Sequence, residues 1–150
     1  MKKADLLSTL FVGIDISSRE NVVALLDFES SKPILSFAVA NNQPGAVALA
    51  QKLADFLNSH RDLSRLMIAL ESTSFYGIHI ANYLSSCQLL MPFHTAVYCV
   101  NPKMIANYKK SFIDLGKMIT LMLLSLPTLL VLVGLLLTLG VAANFLLYSV

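Results

Sequence analysis

Two acidic residues in this 150-residue chain stand where carboxylates can do chemistry. Asp15 lies at the end of the apolar run Thr9-Leu10-Phe11-Val12-Gly13-Ile14. Ile14 and Ile16 on either side imply burial on at least one face, where a lone carboxylate is costly unless something compensates it. Glu71 closes a second apolar run, residues 66–70, in the same way. In an α/β sheet the carboxyl ends of strands are where ligand sites assemble, so two such acids can meet at one edge. Hard divalent cations such as Mg²⁺ take carboxylate oxygens and use one or two acids per ion, and paired ions can stabilise both oxygens of a phosphoryl displacement. Plainer roles compete. Asp15 could cap the turn at Ser17-Ser18, and Glu71 could interact with the N-terminus of a following helix.

The elements that must position these acids can be read from hydrophobic period. Residues 9–16 form an apolar run rich in β-branched side chains, closed by Ser17-Ser18-Arg19-Glu20 as a turn. Residues 21–28 and 33–40 repeat the pattern at hairpin spacing, which predicts three strands in an antiparallel meander. Over residues 44–59, Val47, Leu49, Leu53, Phe56 and Leu57 recur at helical intervals, with Asn41-Asn42 available as caps and Pro44 suited to a first turn. Residues 66–70 read as a buried strand ending at Glu71. Ser72-Thr73-Ser74 then offer capping hydroxyls to a helix running to about Ser86. A fifth strand is expected over 95–100, and Asn101-Pro102 opens a helix whose Lys103, Lys109 and Lys110 make the densest basic patch of the chain. These lysines are candidate phosphate contacts, or simply a solvated helix face. The order βββαβαβα is that of a mixed α/β sheet with a meander edge, the ribonuclease-H-like arrangement.

Composition bounds the rest. The length suits one domain with its own core, and a net charge of +2 from 11 basic and 9 acidic residues is too mild to argue for a nucleic-acid partner by itself. Cys87 and Cys99 lie in no metal-ligand spacing and read as small buried hydrophobes. His60, His79 and His94 are scattered, which favours solvent-facing or satisfied roles. The N-terminus does not read as a secretory signal, so a reducing cytosol is the expected compartment.

Three segments make the pattern specific. Phe11-Val12-Gly13-Ile14-Asp15-Ile16-Ser17, Leu70-Glu71-Ser72-Thr73-Ser74-Phe75-Tyr76 and Val100-Asn101-Pro102 before a basic helix resemble the N-terminal domain of the DEDD-type insertion-sequence transposases and Piv-type invertases, the IS one-ten group. The resemblance covers about residues 9–117. It implies a RuvC-like fold in which Asp15 and Glu71 match the first two acids of a Mg²⁺-binding catalytic tetrad. It also implies DNA and a structured guide RNA as partners of the intact family and a cytoplasmic location, while this chain could at most bind metal weakly or associate with full-length copies. The family places its other two aspartates after the Asn-Pro helix in a Lys-x-Asp-x-x-Asp-Ala type segment, and carries a nucleophilic serine in a separate C-terminal domain. This chain has neither, and Asp114, which precedes Lys117, sits on the wrong side of that motif. Whether this chain is itself an enzyme is therefore left open by the sequence.

The divergence starts at Met118. Residues 118–150 hold no charge in 33 positions, so the chain divides into a transposase-like part over 1–117 and a hydrophobic tail over 118–150. A slipped reading frame predicts such a switch. Met118-Ile119 must be encoded ATG-AT, which one nucleotide earlier contains the aspartate codon GAT, and permitted codons onward can read Asn-Asp-Asn-Ile-Asp-Ala-Phe, restoring Asp-x-x-Asp-Ala. Loss of one A from an A-run at Lys117 would suffice, and the expectation is a truncated, inactive product. Taken at face value, the same tail would insert into a bilayer as a helix, since about 20 uncharged, Leu-rich residues span one and Pro127, Gly134 and Gly140 do not prevent it. The rival reading is thus a small single-pass membrane protein with a cytosolic α/β domain. A third, a sugar-kinase-like nucleotide binder suggested by Gly13-Ile14-Asp15, lacks a later glycine-rich phosphate loop.

Overall fold

β1 (Thr9–Ile16) is the strand around which the others are arranged, and its composition explains why. Leu10, Phe11, Val12 and Ile14 are all buried, so the strand has apolar cover on both faces and must find backbone partners on both edges. In the computed structural model, which describes residues 3–29, 33–71 and 75–100, it finds both. β2 (Glu20–Leu26) and β3 (Leu35–Ala40) continue from it as an antiparallel meander. β4 (Arg65–Glu71) lies parallel along the other edge of β1, and β5 (Ala96–Val100) lies parallel to β4, giving the order β3-β2-β1-β4-β5. The mixed sheet and element order match the expectation through the fifth strand. The helix expected from Asn101-Pro102, with Lys103, Lys109 and Lys110, and the 118–150 tail lie outside the described residues.

Strand alternation sorts the core into two layers. On one face Leu10, Val12, Ile14, Ile68 and Leu70 pack with Leu49, Leu53 and Leu57 of α2 (Gln43–Ser59), and with Ile80 and Leu84 of α3 (Phe75–Ser86). The opposite face gathers Phe11, Ala24, Leu26 and Met67 around Leu6 of α1 (Lys3–Leu7). That five-residue helix was not foreseen, because nothing so short holds itself together in water. Local side-chain bonds, one ion pair from a distant strand and the packing of Leu6 hold it instead. Ser8 Oγ and Thr9 Oγ1 donate to the carbonyls of Ala4 and Asp5, and Arg65 at the start of β4 pairs with Asp5 at 3.4 Å. Arg65 and Asp5 are partly exposed, so the pair contributes under about 1 kcal/mol.

Two local expectations needed correction. Val47, expected on the buried stripe of the first long helix, is 45% exposed, and the stripe runs instead through Ala46, Leu49, Ala50, Leu53, Ala54 and Leu57. The alanines bring the helix axis close to the sheet and turn Val47 outward. The second and third strands are also shorter than their apolar runs, ending at Leu26 and starting at Leu35, and Pro33 has no N–H to offer a ladder.

Of the two asparagines before α2, Asn42 is the cap: its Oδ1 accepts from Gly45 N at 2.8 Å. Gly45 is there because the helix starts hard against the end of β3. A Cβ at that position would stand 1.9 Å from the Ala40 carbonyl oxygen, and backbone cannot yield as a side chain would. Gly45→Ala is expected to destabilise the fold by about 2–3 kcal/mol, in the range of overpacked sites. Urea unfolding would read this as a lower midpoint at unchanged slope.

Candidate metal centre

The β1–β4 ladder runs from Thr9↔Arg65 to Ile14↔Leu70, so Asp15 and Glu71 follow as the next residues of two neighbouring parallel strands. Adjacent strands run about 4.8 Å apart, which sets the backbone separation at this edge. Glu71 is the last residue of β4 and stands opposite Val100 at the end of β5, while Asp15 stands opposite Val22 of β2. The two acids singled out in the sequence therefore occupy one end of the sheet, at its centre.

Asp15 lies on the same face of β1 as Phe11 and Gly13, beyond the reach of the apolar cluster beneath α1, and is half-buried. The turn-capping role considered for it belongs to another residue. Ser17 Oγ donates to the Glu20 carbonyl at 2.6 Å and accepts from Glu20 N at 3.1 Å, closing the β1–β2 turn without Asp15. Among the described residues the Asp15 carboxylate has neither a hydrogen-bond nor an ion-pair partner. A half-buried carboxylate without a protein donor, in register with a second acid, suits a cation ligand better than a structural cap. No group of three or more His, Cys, Asp or Glu side chains gathers among the described residues. Lys103, Lys109 and Lys110 lie outside the described residues, so nothing places them relative to this edge.

The lesser residues fall mostly into structural roles. His60 stacks on Phe56 at 4.1 Å between ring centroids, and its Nδ1 lies 2.8 Å from the Phe56 carbonyl, which closes the end of α2. His94 takes the left-handed conformation after the short 3₁₀ turn Met91–Phe93, with φ of 46°. Cys99 is buried, and burial pushes its thiol above the ordinary value, so it stays protonated at neutral pH.

An amide network at the same end of the sheet escaped sequence reading. Asn21 on β2 is fully buried and donates its Nδ2 to Asn41 Oδ1 at 3.3 Å. Asn41 in turn donates Nδ2 to the Ser17 carbonyl at 2.7 Å and its backbone N–H to Arg19 at 2.9 Å. The only signal was a lone carboxamide inside an otherwise apolar strand.

Comparisons with known proteins speak to the family and the fold. A family model described as Transposase, for the DEDD transposases of the IS110 group, matches residues 12–118. No curated protein matches the chain. Among solved structures, the human cytomegalovirus terminase nuclease domain, soaked with Mn, superposes with a TM-score of 0.50 at 18% identity over 76% of this chain. This chain spans 64% of that domain's length. At such low identity the likeness speaks for the fold alone, a ribonuclease-H-like mixed sheet. An inorganic polyphosphate/ATP-glucomannokinase from Arthrobacter sp. strain KM (TM-score 0.38, 15% identity, 65% of this chain and 46% of that one) and a reductive activator for a corrinoid, iron-sulfur protein (0.37, 11%, 74% and 27%) are similar only in part. With the family match extending over most of the chain, from the middle of β1 past the end of β5, this protein belongs to the DEDD transposase family.

Proposed function

We propose that residues 1–117 are part of the catalytic domain of an insertion-sequence transposase, in which Asp15 and Glu71 supply two of the carboxylates that hold divalent cations against a DNA phosphodiester. The observation that carries this reading is the adjacent register of the two acids at one end of a parallel strand pair. Register-matched positions on parallel neighbours share a face, so both carboxylates would address one ion. The ion would supply charge neutralisation at the phosphoryl oxygens and a more acidic water. The chain's own part is to hold the acids rigidly, on two buried strands, at an edge that nucleic acid can reach. Manganese in the cytomegalovirus nuclease domain supports a divalent cation in such a fold. Mg²⁺ as the working ion, a guide RNA, association with longer copies and a cytoplasmic setting are the finer parts of the proposal.

We further infer that this chain is inactive. Two of the four family acids have no counterpart in it, and the uncharged 118–150 segment replaces the stretch that should carry them. The test is a calorimetric titration of the full chain in mild detergent with Mn²⁺, paired with a DNA-nicking assay. Weak binding, at about millimolar Kd, is expected for the wild type, lost in Glu71→Gln, with no nicking by either. Equal binding by the two proteins would overturn the acid pair, and nicking by the wild type would overturn the inactivity. The reading-frame explanation is tested in the gene: codons of the ACA and TTG type at Thr120 and Leu121 are expected, and a Leu121 codon that does not end in G refutes it.

The composition of 118–150 also favours a second reading, a membrane anchor on a cytosolic domain. Among the described residues no helix is long and apolar enough to cross a membrane, so this reading rests on the tail alone. Protection of the tail from protease in sealed vesicles would support it.

A further inference from the structure

Between the first turn of α2 and the outward side of α3 lies a cavity of about 370 Å³. Its apolar surface comes from Ala46 and Ile80, its aromatic surface from Tyr83, and its polar surface from Asn41, Asn42, Gln43 and His79. The position in the fold is what makes it informative. β1 and β3 both run antiparallel to β2, so the end of β3, where Asn41 follows, is the same end of the sheet as Asp15. Asn41 is bonded directly to the turn after Asp15, through the Ser17 and Arg19 carbonyls. The cavity thus opens on the α2/α3 side of the edge whose other side carries Asp15.

The chemistry of the lining narrows the occupant. Among the described residues no carboxylate lines the cavity, which speaks against a cation or a basic peptide, and no lysine or arginine lines it, which speaks against a phosphate. What remains is a set of neutral groups with hydrogen-bonding capacity to spare. Asn42 spends its Oδ1 on Gly45 N, leaving both amide hydrogens. Gln43 and His79 have no side-chain partner among the described residues. Asn41 is held in one orientation by fully buried Asn21, whose own Oδ1 has no partner. The Tyr83 hydroxyl, a phenol protonated at neutral pH in any case, is held further above its ordinary value by burial first and neighbouring Cys87 second.

Carboxamides read the hydrogen-bonding edges of bases, and aromatic rings stack on their faces. A volume of about 370 Å³ is at the small end for ligand cavities, room for one nucleoside and too little for a duplex. We propose that this cavity takes a single unstacked nucleobase of a nucleic-acid strand that passes over the Ser17–Arg19 lip to the acid pair. The proposal rests on the phosphodiester reading of Asp15 and Glu71 and adds to it where the strand is gripped.

The experiment measures binding of a fluorescein-labelled single-stranded DNA to the full chain in mild detergent and EDTA, by anisotropy, so that no metal contributes. Asn42→Asp keeps the capping oxygen and removes the amide hydrogens, and the exposed pair Gln43→Ala/His79→Ala removes two polar contacts without changing α2 capping. Both variants are expected to bind about tenfold more weakly than the wild type at unchanged thermal midpoint, the loss carried by one or two hydrogen bonds. With an oligonucleotide of the same length made of abasic sites, the Gln43→Ala/His79→Ala variant and the wild type should bind equally. Equal binding to the normal strand, an equal loss on the abasic strand, or no binding by the wild type would each overturn the cavity proposal. The acid pair is judged separately by the manganese titration, which needs no DNA.

Discussion

Asp15→Asn is expected to raise the thermal midpoint in EDTA and to remove the further rise that Mn²⁺ gives the wild type. The metal-free gain follows from the site's geometry. Asp15 is a half-buried carboxylate with no donor among the described residues, one register step beyond the Ile14↔Leu70 pair and on the strand next to a second acid, and like charges on neighbouring strands oppose each other. Removing one charge from such a pair should stabilise by about 1 kcal/mol, as substitutions of binding acids commonly do, and in a domain of this size that is about 4–8 °C. The loss in Mn²⁺ follows from linkage. A ligand at 100 times its Kd stabilises the folded state by about 2.7 kcal/mol, and a variant that no longer binds gains none of it. Differential scanning fluorimetry with and without Mn²⁺ reads both effects at once. A midpoint unchanged in EDTA, together with a retained response to Mn²⁺, would mean that Asp15 is no ligand.

Leu53→Ala tests the scaffold rather than the site, and should have one of the largest effects among single truncations on α2. Leu53 is fully buried in the cluster that joins α2 to Leu10, Val12 and Ile68 of the central strands. Truncations of this kind cost about 3–5 kcal/mol, the lost transfer energy plus the cavity left behind. The midpoint should fall by about 12 °C or more. Val47→Ala on the same helix, at a position 45% exposed, should change it by no more than about 0.5 kcal/mol. Similar losses at both positions would contradict the observed burial stripe.

What the sequence made legible follows from how each signal arises. β1 and β4 could be read because burial on both faces leaves an unbroken apolar run, and because each run ends in an acid that has no place in a core. The position of Asp15 beside Glu71 was an expectation from the fold class, and the ladder register agrees with it. α1 was not legible, since its local bonds to Ser8 and Thr9 are too few to hold five residues, and the rest of its order comes from Leu6 settling on Phe11 and Met67 and from the pair with Arg65, which are decided in three dimensions. Val47 was misread for a related reason: hydrophobicity alone weighs it above Ala46, whereas close helix-to-sheet packing selects the smaller side chain. The Asn21–Asn41–Ser17 network escaped because its members are 20 and 24 residues apart, and no local pattern announces an amide bridge of that span.

The strand order has a consequence for biosynthesis. β1, β2 and β3 pair with their immediate neighbours in the chain, so the meander can close while the ribosome is still making α2, and only β4 has to travel back to the free edge of β1. Among the described residues, the five strands of the sheet end at Val100. These five strands and the two long helices that cover them are thus made in the first two thirds of synthesis, and each strand meets its partner in the order in which it leaves the ribosome.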